Sequence, residues 1–329
     1  MGLVRILLPL PRAAARLAPE KAGGLLGAGL LHSVMPGWVA LWLPSPTRRL
    51  DWAEEAVAVY GSLADGADGL GRARTLRAYA LLLNDRQDEA CAAADAALSA
   101  PDAPLSPALT AFAVHLRAQA LTDAGRIEEA VAAAREAVEL YRAHPAPGRR
   151  ERSFGTLPGA LRTYGLVLAA AGRTEESVAV YEECAALLAG MSLRESARVA
   201  LVRPRVLAEL VGGLTRLERY EDALGVGPEA REAARGAVAW TVPAIVLPLR
   251  VRLLIDLARC HSATGDPAEA RARAGEAVAE ARKPHGTAVL PSALDCLADV
   301  LGELGQTEKE LSTRRELAQL RDAPGAFRK

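Results

Sequence analysis

Five histidines (His32, His115, His144, His261, His285) and four cysteines (Cys91, Cys184, Cys260, Cys296) are the side chains of this 329-residue chain best suited to metal binding or nucleophilic catalysis. Their spacing supports neither. No HExxH occurs, and no CxxC joins an HxxxH, so the ligand geometry of a zinc site is missing. The cysteines stand singly, each where a helix would run. They read as small buried hydrophobes of a protein kept in a reducing cytoplasm. His261 reads as a core or groove histidine. No GxSxG, no P-loop and no GxGxxG after a strand is present. The stretch Gly23 to Leu30, GGLLGAGL, lacks the Lys and Ser/Thr that phosphate binding needs. The acid pairs Glu54/Glu55, Glu128/Glu129 and Glu175/Glu176 open helical stretches, where capping and the helix dipole favour acids. The expectation is therefore no catalytic residue, no metal, no cofactor and no enzymatic activity.

What remains is the chemistry of arginine. Forty basic residues balance forty acidic ones, and only Lys21, Lys283, Lys309 and Lys329 are lysines. A net charge of zero draws neither nucleic acid nor an anionic membrane. The clusters Arg48, Arg49 and Arg149, Arg150, Arg152 are short and carry no interleaved aromatics, so they read as loop charges. A guanidinium offers forked donors that match a carboxylate. Where such groups line up depends on the elements that carry them.

Those elements repeat. Ala124 to Tyr141, AGRIEEAVAAAREAVELY, is a glycine turn followed by an amphipathic helix. The phrase recurs from Ala171 (AGRTEESVAVYEECAALL) and from Thr264 (TGDPAEARARAGEAVAEA), with weaker echoes from Asn84, Leu217 and Leu304. Half of the residues are apolar but only 4% are aromatic. Alanine, leucine and valine at helical spacing favour closely packed helices. A period of 40 to 47 residues predicts stacked helix pairs, because one pair alone cannot bury its apolar face.

The ends depart from this pattern. Residues 1–50 are apolar and rich in glycine and proline. The uncharged run from 23 to 47 is long enough to span a bilayer, but five glycines and three prolines interrupt it. Packing against the first repeat is the favoured expectation, with membrane association or poor order as alternatives. Residues 51–71 read as one degenerate repeat helix, capped by Asp51, and a break at DGADGLG. Residues 72–321 form the array, and 322–329 a tail.

Six helix pairs carry the resemblance to a known family. The third gives Leu161, Tyr164, Gly165, Leu168, Gly172, Ser177, Tyr181 and Cys184; the second gives Val114, Ala118, Leu121, Gly125, Ala130, Ala134 and Ala137. The array resembles tetratricopeptide repeats, in a long-period form akin to bacterial regulatory arrays. In place of the family's glycine, the fourth pair has Glu218. The first pair holds Arg74 and Arg77 at apolar slots, and the last holds Glu310 and Arg314 where an alanine and an aromatic belong, as a solvating cap would. The resemblance implies an all-α, right-handed superhelical solenoid of about six pairs. It implies a concave groove lined by the first helix of each pair. Carried over by position, the groove residues are His115, Gln119, Arg162, Arg205, Thr215, Arg252, Arg259, Asp295 and Asp299. The resemblance further implies a scaffold or adaptor that binds a partner protein or peptide there, and the arginines make an acidic segment the expected one. The alternative it implies is a peptide-sensing regulator.

Overall fold

The computed structural model describes residues 45–144, 155–191, 202–238 and 243–322. The expectations for residues 1–44 lie outside these. Among the described residues no helix is long and apolar enough to cross a membrane. The fold is all-α. Among the described residues thirteen α-helices follow one another: α1 (Pro46–Gly61), α2 (Ala67–Leu82), α3 (Gln87–Leu98), α4 (Pro107–Asp123), α5 (Ile127–Ala143), α6 (Leu157–Ala170), α7 (Thr174–Ala189), α8 (Val202–Arg216), α9 (Tyr220–Val238), α10 (Pro243–Ala263), α11 (Pro267–Ala281), α12 (Leu290–Glu303) and α13 (Thr307–Asp322). They fall into two compact units, Met1–Arg173 and Thr174–Lys329.

Within each unit the helices stack as antiparallel neighbours. In the first, α2 packs on α3 and α4 on α5, and each second helix leans on the next first helix. In the second, the pairs are α8 with α9, α10 with α11 and α12 with α13. First helices also touch one another directly, α2 with α4 and α4 with α6, then α8 with α10 and α10 with α12. The alanines allow this. Ala118, Ala130, Ala134 and Ala137 are at most 1% exposed, and a methyl side chain lets helix axes close in.

One turn is built six times. In the second pair the N–H of Gly125 donates to the Thr122 carbonyl and that of Arg126 to the Leu121 carbonyl, the Schellman arrangement. The same bonds recur at Asp85/Arg86, Gly172/Arg173, Glu218/Arg219, Gly265/Asp266 and Gly305/Gln306. The conformation needs positive φ. Gly125, Gly172, Gly265 and Gly305 supply it freely, whereas Glu218 (φ 59°) and Asp85 (φ 54°) adopt it with a side chain in place. The acids after the turn are held by its arginine: Arg126 forks onto Glu129 at 2.8 and 2.7 Å, and Arg219 reaches Asp222 at 2.7 Å.

Three expectations need correction. Asp51 is not a helix cap, because α1 starts at Pro46 and Ser45 Oγ accepts from the Arg48 N–H at 3.4 Å. Proline at the first helical position has no N–H to leave unpaired, so the helix extends back to it. The break is shorter than DGADGLG, since α2 begins at Ala67 and buries Leu70 and Gly71. Arg74 and Arg77 sit on the flank of α2, ion-paired to Asp102 (2.8 Å) and Glu54 (3.7 Å), so the apolar face lies on Ala73, Leu76, Ala80 and Leu81 instead. Part of the long period is helix rather than loop: α9 has 19 residues and α10 has 21, with Pro228 and Pro248 inside them. The cap reading of α13 matches its contacts, because Arg314 turns back to Glu310 (2.9 Å) and Asp299 (3.1 Å).

Candidate functional site

The first helices of the second unit present a charged face. On α8 the stripe is Arg205, Glu209, Gly212 and Arg216; on α10 it is Arg252, Asp256 and Arg259; on α12 it is Asp295, Asp299 and Glu303. Steps of three and four place each set on one side of its helix. Arg252 Nη1 reaches Glu209 Oε1 at 3.6 Å, which joins the faces of α8 and α10. Ser262 donates to Glu303 and joins α10 to α12. A cleft of about 290 Å³ lies there, lined by Arg259, Ser262, Asp299 and Glu303 among others.

The ion pairs on this face are loose. Arg252 and Arg259 are 66% and 62% exposed, and their nearest carboxylates stand 3.6 and 3.7 Å away. Several pairs elsewhere in the same unit are tighter: Arg203 to Glu229, Arg219 to Asp222 and Arg273 to Glu276 each close at 2.7 Å. Arg205 is half-buried, and it makes no ion pair among the described residues. Burial pulls its guanidinium below the ordinary value, with Glu209 opposing. A desolvated guanidinium without a carboxylate is a place where an incoming anion gains most.

Asp256 lies at the floor, 9% exposed. Burial raises its pKa to about 6, against the pull of Arg259, Arg216 and Arg252. Its carboxylate has the Arg259 contact at 3.7 Å and accepts no hydrogen bond among the described residues. A buried charge with so little compensation destabilises the fold. Gly212 makes room for it: a Cβ there would stand 3.1 Å from Asp256 Oδ2.

The expected residues are thus not one set. Arg205, Arg252 and Arg259 share the face just described. Thr215 is turned to its own helix and neighbour, donating to the Val211 carbonyl at 2.8 Å and lying 3.1 Å from Cys260 Sγ. Asp299 is held by Arg314 of the capping helix. Asp295 is half-buried on α12. In the first unit Gln119 and Arg162 are half-buried, but His115 is not a groove residue. It is 7% exposed, between α4 and α6, with Nε2 2.8 Å from Thr163 Oγ1 and 3.3 Å from Gln119 Nε2. Burial, aided by Arg162, lowers its pKa to about 3, so it is a neutral link between first helices.

Sequence reasoning missed Glu209, Gly212, Arg216 and Asp256. A signal was there. Asp256 follows Arg252 by four and precedes Arg259 by three, the spacing that keeps residues on one helical face. The family's groove positions simply pass over it.

Models described as "Tetratricopeptide repeat" match residues 113–144, 158–183 and 251–282. Each match spans parts of one helix pair, and the six repeated turns set the pairs in register. The chain carries tetratricopeptide repeats. Solved structures with the same fold include the apo form of RapI (TM-score 0.64, 13% identity, covering 85% of this chain and 74% of that one). Another is BtubC from P. vanneervenii (TM-score 0.55, 18% identity, 74% and 91%). A third is NprR in complex with its cognate peptide NprX (TM-score 0.54, 12% identity, 91% and 79%). At these identities the likeness speaks for the tetratricopeptide fold alone. No curated protein matches the sequence.

Proposed function

We propose that this chain is a non-catalytic binding protein whose second unit receives an acidic segment, of a partner protein or a short peptide, on the face of α8, α10 and α12. The loose arginines carry this reading. Arg205, Arg252 and Arg259 stand where a carboxylate-bearing segment would meet them, while arginines such as Arg203 and Arg219 close pairs at 2.7 Å. Within the second unit Asp295 bounds the proposed surface; Gln119 and Arg162 belong to the first unit and are proposed as contacts there by themselves. The peptide held by NprR, and the Competence and Sporulation Factor held by a Rap protein of the same fold (TM-score 0.53, 14% identity), favour a peptide as the occupant. A regulatory role that senses such a peptide follows as readily as a scaffold.

The thiols fit a binding role. The four thiols are buried, and burial raises those of Cys91, Cys260 and Cys296, the last to about 11, which withholds the reactive thiolate. Among the described residues no group of three His, Cys, Asp or Glu is placed to hold a metal. Free buried thiols suit a reducing cytoplasm.

The test is capture on an array of acidic, neutral and basic peptides, with the full chain and a variant carrying Arg205→Glu, Arg252→Glu and Arg259→Glu. The full chain should prefer acidic peptides. The variant should lose at least tenfold in affinity while its helical circular dichroism stays the same. Equal capture by both proteins, or a preference for basic peptides, would overturn the reading.

A further inference from the structure

The cleft of about 290 Å³ between α10 and α12 has a chemistry that the arginine reading does not use. Arg259, Ser262 and Ala263 line it from the last turns of α10, and Asp299, Val300 and Glu303 from the last turns of α12. Two helices therefore end at the cleft, and the carbonyl end of a helix carries partial negative charge. A basic residue is the usual partner of such an end, but α12 has none in its last turn. It has Glu303 as its final residue instead, with Asp299 four residues before it on the same side. Asp295, half-buried one turn further back, adds the same sign. Arg314 holds Asp299 through Oδ1 at 3.1 Å. Glu303 has no ion pair among the described residues; its Oε2 accepts from Ser262. The one guanidinium lining the cleft, Arg259, has its ion pair with Asp256 of its own helix.

We propose that this cleft receives the ammonium of one lysine side chain in the bound segment; this rests on the groove reading above. The chemistry selects the group. Two carboxylates and two helix C-termini call for a cation. Ala263, Cys296 and Val300 give the lining an apolar part, which suits a methylene stem behind the charge. An ammonium fits better than a guanidinium. One oxygen of each carboxylate is already engaged, which leaves Glu303 Oε1 and Asp299 Oδ2 on two separate groups. A guanidinium closes best on both oxygens of one carboxylate, whereas an ammonium divides its three donors among single oxygens. The bound segment is then bipolar. Its carboxylates lie at Arg205, Arg252 and Arg259 of α8 and α10, and its lysine lies at the α12 end.

The probes are labelled acidic peptides, N-acetylated and C-amidated so that their ends carry no charge. Each has one variable residue, placed before or after a run of glutamates: Lys, Arg, or norleucine, which keeps an apolar stem without the charge. Affinities for the full chain are read by fluorescence anisotropy at pH 7.5. In one of the two orders the Lys peptide should bind at least tenfold tighter than the norleucine peptide, and at least threefold tighter than the Arg peptide. Glu303→Gln keeps an acceptor for Ser262 and loses the charge, so it should shrink the Lys-to-norleucine ratio to threefold or less. Glu308→Gln, at an exposed acid of α13 that does not line the cleft, should leave the ratio intact. Equal binding of the Lys and norleucine peptides would overturn the lysine cleft and leave the arginine groove standing. A lysine preference that survives Glu303→Gln, or an Arg peptide that binds as tightly as the Lys peptide, would also overturn it. If none of the acidic peptides binds, the groove reading and the lysine cleft fall together.

Discussion

Asp256 offers a direct physical test of the site, without any ligand. The perturbation is Asp256→Asn, which imitates the protonated side chain in nearly the same shape. In the folded protein the pKa is about 6; the ordinary value is 3.8. Burial raises it, so the folded state holds a proton that the unfolded chain has already released between these values. Stability from this group is therefore complete below pH 3.8 and declines as pH rises through 6. The shift corresponds to about 3 kcal/mol of destabilisation at pH 7.5, of which about 2 kcal/mol develops between pH 4.5 and 7.5. The assay is urea unfolding of both proteins at a series of pH values. The difference between them isolates Asp256 from other titrating groups. Asp256→Asn should be the more stable by about 3 kcal/mol at pH 7.5 and by about 1 kcal/mol at pH 4.5. A difference that stays flat across this range would mean that the carboxyl is not desolvated.

Two further outcomes follow from the structure. Glu218 holds a left-handed backbone that glycine holds in four sister turns, so Glu218→Gly should stabilise by about 0.5–1 kcal/mol and Gly265→Ala should destabilise by about 1 kcal/mol or more, as read by chemical unfolding. A loss of stability in Glu218→Gly would contradict the turn argument. His115, whose pKa is lowered to about 3 from 6.5, must shed its proton to fold, so acid should weaken the protein progressively below pH 6.5. The contribution is about 2 kcal/mol between pH 7.5 and 5, and His115→Gln should abolish that part of the dependence. An unchanged acid slope in the variant would refute the neutral link.

Much of the fold was legible because its determinants are local. The glycine turn, the acids after it and the alanines of the second helix all act within one pair, and the pair recurs. Glu218 was recognisable as an odd residue at a glycine position; its positive φ follows from the hydrogen bonds that the turn must close. The start of α1 was not legible, because Pro46 and Ser45 sit at the edge of a stretch whose composition obscures the helix signal.

The charged face was only partly legible, and the reason is geometric. Position along a helix identifies which side of its helix a residue is on, and it sets Arg252 and Arg259 on one side of α10. It does not say what stands opposite. His115 became a buried link because Thr163, 48 residues on, meets its ring. Asp256 became a desolvated acid because Gly212, on another helix, leaves the space for it. Burial and the distances between charges are properties of pairs of helices. The chain by itself determined the helices, their turns and their order, since those depend on spacing within a few residues. The tertiary structure alone decided which charges are left loosely paired, because desolvation and Coulomb energy depend on neighbours brought together by packing.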